Sequence, residues 1–286
     1  MQQKDRTIII SGCGYKTATG YTLSEHSNVF NDPGVKVNIG SATAQTLAES
    51  GYNLILISKT QDKLNHIKKS LVELFPGVAV TVFAIDLLNE SEVRQLMPAL
   101  NNKQTAYHYV HCTGISSGSY KIKDDNPYLS IEETPVDLPT IEFEAVVKSL
   151  LIMTQTLLPV FKQQPESRIV VVSSMSSVRS VPFGFSHTSA KAGLHNASRS
   201  LALELNKMKI YVSEVMPGAV DTGMYDNDIV KKRIIEMAKM FGYDYDEIPM
   251  MPSSAVAESV KMCLESKSHI LAINMVAQGQ WPNLGS

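Results

Sequence analysis

The sequence predicts one α/β domain, a doubly wound parallel sheet with helices on both faces. Three observations lead there. Apolar runs of strand length alternate with amphipathic stretches of helix length, residues suited to ligand contact close most of the apolar runs, and no linker divides the 286 residues. In such sheets ligands sit beyond the carboxyl ends of the strands. Gly12, Ser58, Asp86, Gly114, Ser174 and Pro217 all fall at such ends.

The elements follow in order. Thr7-Ile-Ile-Ile-Ser-Gly12 is a short apolar run ending in small residues, and 41–50 has the Ala/Leu spacing of a helix packed on a sheet. Strand 53–57 and helix 61–74 come next, then strand 78–85 and helix 90–99, strand 107–112 and a long helix over 141–162. Strand 168–173, a helix over 187–206, strand 210–215, helix 253–265 and a last strand at 270–274 complete the pattern.

Composition narrows the function. The formal net charge is −2 with no basic run, so nucleic acid is not an expected partner. No run of consecutive apolar residues approaches the ~20 needed to span a bilayer, and a cytoplasmic protein is expected. Cys13, Cys112 and Cys263 are odd in number and scattered, which reads as reduced thiols. His111 and Cys112 would suit a metal, but strand neighbours point to opposite faces and no second ligand pair follows, so no metal site is expected.

The chemistry concentrates on Ser174, His187 and Lys191. Ser174 ends a strand, His187 follows thirteen residues later at a helix start, and Lys191 lies four further on, on the same helical face. A nearby Lys charge disfavours imidazolium, so His187 is expected to be a neutral base or polar anchor at pH ~7. A hydrolase built on Ser174 and His187 is the weaker reading, since no third residue clearly orients the histidine.

With those spacings the chain resembles the short-chain dehydrogenase/reductase family, in which a strand-end Ser, a Tyr and a Lys stand at these intervals and His187 takes the place of the Tyr. The resemblance covers nearly the whole chain and implies a Rossmann fold, a nicotinamide cofactor and hydride transfer at a carbonyl or secondary alcohol. Met216-Pro-Gly-Ala-Val-Asp-Thr222 matches the family's Pro-Gly, three residues, Thr pattern, whose loop wraps the nicotinamide carboxamide. By that resemblance Pro217, Gly218, Thr222 and Lys191 bind cofactor, and Asp86-Leu87 lies beside the adenine. Only Gly114 keeps the family's Asn-Asn-Ala-Gly. The family's relay asparagine in the long helix is replaced by Val146 or Leu150, depending on the alignment.

The glycine-rich phosphate turn is divided. Ser11-Gly12 supplies its first half and Asn38-Ile39-Gly40 its second, with an insertion over 13–37 between them, although Gly34 could also serve as the first glycine. Asn38 stands where the family has glycine, and Asn tolerates a left-handed backbone. The insertion suits an ordered loop, either a lid or partner surface or a neutral elaboration. After the second strand, Ser58-Lys59 replaces the acidic residue that would hold a ribose hydroxyl, which favours NADP(H) over NAD(H).

Two loops are expected to define the substrate. One, 115–139, carries Ser116, Ser117, Tyr120 and Lys121. The other, a lid over 225–252, carries Met237, Met240, Phe241, Tyr243, Tyr245, Met250 and Met251, which suggests a small, largely apolar substrate unless those side chains simply pack the lid on its own domain. The resemblance further implies a homo-dimer or homo-tetramer through the helices at 141–162 and 187–206. The competing reading is a catalytically silent member of the fold that binds nucleotide or a small molecule and acts through partners.

Overall fold

The computed structural model describes residues 5–100, 105–114, 126 and 128–281. Seven parallel strands form one sheet. They are β1 (Arg6–Ser11), β4 (Asn53–Ser58), β5 (Val80–Ala84), β6 (Ala106–His111), β7 (Ser167–Val172), β8 (Ile210–Pro217) and β11 (Ala272–Met275), in the order β11-β8-β7-β6-β1-β4-β5. Chain direction across the sheet reverses beside β1, and that crevice is where the doubly wound fold places ligands.

The strands are apolar on both faces because both faces are covered. Ile8 and Ile10 of β1 point to one side, with Leu54, Leu56, Val110 and Val170, and pack against α1 (Ile39–Glu49), α2 (Gln61–Leu74) and α8 (Ser253–Glu265). Ile9 points to the other, with Ile55, Tyr109, Ile169 and Val212, beneath α5 (Ser149–Phe161) and α6 (Phe185–Leu205). The two-residue side-chain period thus divides one run of isoleucines between two cores.

Several boundaries differ from expectation for physical reasons. The helix expected over 90–99 is α3 (Glu90–Arg94) followed by a tight turn at Met97–Leu100, because Pro98 lacks an N–H and its ring crowds the preceding turn. The long helix begins early, as α4 (Leu138–Phe143), and passes through one π turn, Glu144–Lys148, before α5. From Leu138 to Phe161 it is long and apolar enough to cross a membrane by length and composition, although Glu142, Glu144 and Lys148 interrupt its apolar residues. That apolarity serves the second core, through Val146, Leu150, Met153, Leu157 and Phe161.

The insertion is built on a hairpin, β2 (Tyr15–Thr17) paired antiparallel with β3 (Val35–Val37). The loop between them lies on α2: Val29 is buried in the first core, its N–H donates to Ser70 Oγ at 3.0 Å, and Tyr15 Oη lies 2.7 Å from His66 Nδ1. At the other side Lys36 Nζ reaches both Asp221 and Asp226 at 2.8 Å. Those acids flank the chain between β9 (Val220–Asp221) and the lid helix α7 (Asp228–Met240), and β9 pairs with β10 (Met251–Pro252).

Candidate active site

The divided phosphate turn closes through the Gly12 register. Gly12 has φ +82°, and a Cβ there would lie 2.5 Å from the Cys112 carbonyl oxygen; a Cβ on Gly40 would lie 2.6 Å from the carbonyl of Gly12. Bare backbone is therefore required where α1 meets the end of β1. Gly34 is not part of this turn: it sits in the hairpin against the Tyr21 ring, one strand away from Asn38.

Asn38 survives in glycine's place for a reason other than the one expected. Its φ of −78° and ψ of 174° are extended, not left-handed. Its side chain is the cap of α1: Oδ1 accepts from Ser41 N at 3.0 Å and Gly14 N at 3.1 Å, while Nδ2 donates to Gly12 O at 2.8 Å. The asparagine thus joins the two halves of the turn that the insertion separates, and Ile39 opens the helix behind it.

At the end of β4, Ser58 leads to Lys59, whose Nζ lies 2.9 Å from Asp86 Oδ2. Burial raises the Asp86 carboxyl, but the hydrogen bond from Lys59 and the N–H of Leu88 outweigh it, and the group titrates below its ordinary value. Leu87 is buried in the second core, and Gly114 is exposed just past β6. Two residues assigned separate tasks by the sequence, Lys59 and Asp86, are therefore partners of each other.

Beneath the cofactor side, β6 carries a closed polar chain. His111 is fully buried, with Nε2 3.0 Å from the Val146 carbonyl and Nδ1 2.7 Å from Tyr109 Oη. The carbonyl can only accept, so Nε2 carries the proton and Tyr109 donates to Nδ1. Ser11 Oγ lies 2.8 Å from Tyr109 Oη and 3.0 Å from Thr113 Oγ1. Burial holds His111 neutral, its pKa lowered to about 3. Val146 thus meets the strand through its backbone within the π turn, while Leu150 lies wholly in the core.

The three residues expected to carry the chemistry, Ser174, His187 and Lys191, lie where β7 ends and α6 begins. Ser174 caps a short turn, Met175–Ser177, its Oγ accepting from Ser176 N at 3.1 Å and lying 2.7 Å from Ser176 Oγ. The start of α6 packs against that turn and presents His187 and Lys191 on one face. Burial, and after it the Lys191 charge, lowers His187 to about 3. The expected neutral imidazole is there, but desolvation is the larger cause. Lys191 itself is 8% exposed. Burial lowers it to about 8, against the opposing pull of Glu142, Cys112 and Glu214.

Pro217 closes β8. Gly218 N donates to Met275 O at 2.8 Å and Ala219 N to Gln280 Oε1 at 3.0 Å, so the last strand and the C-terminal turn hold the loop that leads to Thr222. In the lid, Met237 and Met251 pack inward, whereas Met240, Phe241 and Tyr243 are exposed. The segment expected to be a lid is therefore partly core, and only part of its apolar surface is exposed. Ser116, Ser117, Tyr120 and Lys121 lie outside the described residues.

Sequence reasoning missed four residues. Glu142 and Glu214 are buried carboxylates near Lys191. Phe183, with φ +61°, is a strained aromatic whose ring lies 4.3 Å from the Arg233 guanidinium of α7. The signal for Glu214 was present, as one acid inside an apolar strand; nothing local marked Phe183 or Arg233.

A parallel sheet with a bare glycine turn at the end of β1, a capped helix behind it and a Ser, His and Lys at the end of β7, two strands away, match a nucleotide-binding α/β protein of the oxidoreductase type. A family model described as short chain dehydrogenase matches residues 34–232, more than half of the chain, and the protein belongs to that family. The match begins at β3, leaving β1 and Gly12 before it. Among curated proteins, the chain is 24% identical over 237 residues to an uncharacterized oxidoreductase of Staphylococcus epidermidis, covering 83% of this chain and 90% of the relative. It is 24% identical over 205 residues to a 3-oxoacyl-[acyl-carrier-protein] reductase of Aggregatibacter actinomycetemcomitans, covering 70% and 78%. Among solved structures, an NADPH-bound short chain oxidoreductase from Pseudomonas aeruginosa containing an atypical catalytic center superposes with a TM-score of 0.73 at 18% identity, covering 96% of each chain. The L-sorbose reductase of Gluconobacter frateurii, complexed with NADPH and L-sorbose, gives 0.70 at 20% identity, covering 95% of each.

Proposed function

We propose that the protein is an NADP(H)-dependent oxidoreductase acting on a carbonyl or secondary alcohol of a small, largely apolar substrate, with His187 in the role its relatives give to tyrosine. The observation that carries this is the pairing of a neutral His187 with Lys191 on one face of α6, set against Ser174 at the end of β7. The glycine turn fits a dinucleotide, since Gly12 and Gly40 leave backbone bare where a Cβ would collide. Lys59 is the residue for a 2′-phosphate and Lys191 for the nicotinamide ribose. The bound nicotinamide would supply or take up the hydride.

The protein's own residues then divide the remaining work. Ser174 Oγ orients the substrate oxygen. During alcohol oxidation the C–H pair leaves as hydride, His187 accepts the hydroxyl proton, and the carbon–oxygen double bond forms. Reduction needs a proton from a group that still carries one at neutral pH. Lys191, at about 8, meets that condition and His187, at about 3, does not, so reduction retraces the oxidation path with the proton passing from Lys191 through His187 to the substrate oxygen. The exposed apolar side chains Phe143 of α4 and Phe185 and Leu203 of α6 support assembly as a homo-dimer or homo-tetramer.

The test is a panel of secondary alcohols and ketones assayed with NADP⁺ and NADPH from pH ~5 to ~10. The expected oxidation profile is flat between pH ~5 and ~7 and changes near pH 8, with turnover lowered about 10²-fold or more by His187→Ala. A rate that rises as pH falls through ~6 and requires His187 would contradict the assignment.

A further inference from the structure

The insertion that divides the phosphate turn is held in three places, and the three differ in kind. Its base is locked onto the turn: Asn38 N donates to Gly14 O at 3.0 Å, and Ser41 Oγ donates to the same oxygen at 2.8 Å. Its loop is locked onto α2, where Asn28 Nδ2 donates to Ser70 O at 3.1 Å, Lys63 Nζ donates to Tyr15 O at 3.0 Å, and Val29 is buried. The third contact faces the other way and is made of charge. Lys36 of β3 lies 2.8 Å from both Asp221 and Asp226, with side chains 38%, 40% and 49% exposed. Between those two acids Gly223 has φ +78°, and a Cβ there would lie 3.2 Å from Lys16 Cβ of β2.

Strand order shows what this third contact spans. The hairpin rises from the end of β1 and the chain to Asp221 leaves the end of β8, with β6 and β7 between them. Three strand spacings amount to about 14 Å. Hairpin and loop together close that gap along the carboxyl edge of the sheet, beside the ends of β6 and β7, where the doubly wound fold places ligands. The two partners are not equally free to move. Tyr15 and Val29 tie the hairpin into the first core of the sheet. The helix that follows Asp226, α7, packs instead in a third cluster, through Val230, Ile234 and Met237 with Tyr128, Tyr225 and Trp281. It can shift with that cluster and leave both cores of the sheet intact.

We infer that Lys36 is a clasp: the inserted hairpin is a fixed post, and its lysine holds the segment from Gly223 through α7 closed beside the cleft. That the occupant of the cleft is a dinucleotide rests on the oxidoreductase reading; the post and the clasp do not. Half-exposed ion pairs open at little cost, so the clasp delays passage without sealing the cleft. It acts on traffic in both directions. Removing it speeds association and dissociation together and moves the dissociation constant less than either rate, whereas a lysine that only touched the ligand would alter dissociation and leave association unaided.

The experiment has two arms on the full chain, each comparing wild type with Lys36→Ala, Asp226→Asn and the charge-conserving Lys36→Arg. Without nucleotide, amide hydrogen exchange is followed by mass spectrometry. Peptides covering 223–240 are expected to exchange about threefold or more faster in Lys36→Ala and Asp226→Asn, to stay near wild type in Lys36→Arg, and to leave peptides covering 15–37 unchanged. Unchanged exchange over 223–240, or loosening confined to the hairpin, overturns the clasp. In the second arm, stopped-flow fluorescence measures NADPH association and its displacement by excess NADP⁺. Both rate constants are expected to rise about threefold or more in Lys36→Ala and to return toward wild type in Lys36→Arg. Faster dissociation with unchanged association overturns the proposal in favour of a plain ligand contact. Failure of NADPH to bind at all strikes the oxidoreductase reading, and the exchange arm still decides the clasp.

Discussion

At the ends of β4 and β5 the charges lie in water, and at the ends of β7 and β8 they do not. Lys59 and Asp86 are a pair with side chains 65% and 40% exposed, while Glu214 and Lys191 are 3% and 8% exposed. The exposed pair can open and re-form at little cost, as the proposed 2′-phosphate site requires. Burial has shifted the ionisation of Lys191, and Glu214 has fixed partners in Ser173 and His195. Within one cleft, the residues proposed for recognition hold their charge loosely and those proposed for chemistry hold it under burial.

The largest expected effect lies at the buried end. Lys191→Met should lower turnover by about 10²-fold or more in steady-state assays, whereas Lys59→Ala should act mainly through the KM for NADP(H). A KM effect alone at Lys191 would break the contrast.

Acid stability is the next test. Burial lowers His108 and His111 to about 3, so the unfolded chain, with ordinary imidazoles, takes up protons first as pH falls. Stability from these groups is complete above pH ~6.5 and is lost between ~6.5 and ~3, on the order of several kcal/mol in total. Denaturant unfolding at pH ~7 and ~4.5 measures it, and a His111→Asn variant should show a shallower loss.

Backbone at the phosphate turn comes third. Gly12→Ala forces a Cβ onto the Cys112 carbonyl at positive φ and should destabilise by about 1–3 kcal/mol in urea unfolding. The smallest stability effect is at the hairpin. Lys36→Ala removes two half-exposed ion pairs and should cost less than about 1 kcal/mol. If the hairpin covers the cofactor, the same change will speed cofactor release in stopped-flow displacement without altering the unfolding midpoint much.

What the sequence made legible follows this division. The ends of α2 and α8 match their periodicity because apolar spacing sets them. The placement of Ser174 and Lys191 at a strand end and a helix start follows from motif spacing alone. The role of Asn38 was misread, since a substituted glycine suggests backbone freedom and the structure uses the side chain. The hairpin could not be seen because two three-residue strands separated by a long loop leave little period-2 signal. The π turn at Glu144–Lys148 leaves no mark in an apolar helix, and the tie between Glu214 and His195 joins residues nineteen apart whose meeting depends on how α6 crosses β8.

The central claim is that the cleft binds a nicotinamide dinucleotide and prefers the phosphorylated form. Calorimetric titration of the full-length protein with NADPH and NADH, beside a Lys59→Asp variant, tests it most directly. The account predicts tighter binding of NADPH than of NADH, with Lys59 leaving Asp86 for the 2′-phosphate and the preference lost in the variant. Absence of binding by either nucleotide would contradict the account and favour a member of the fold that acts without turnover.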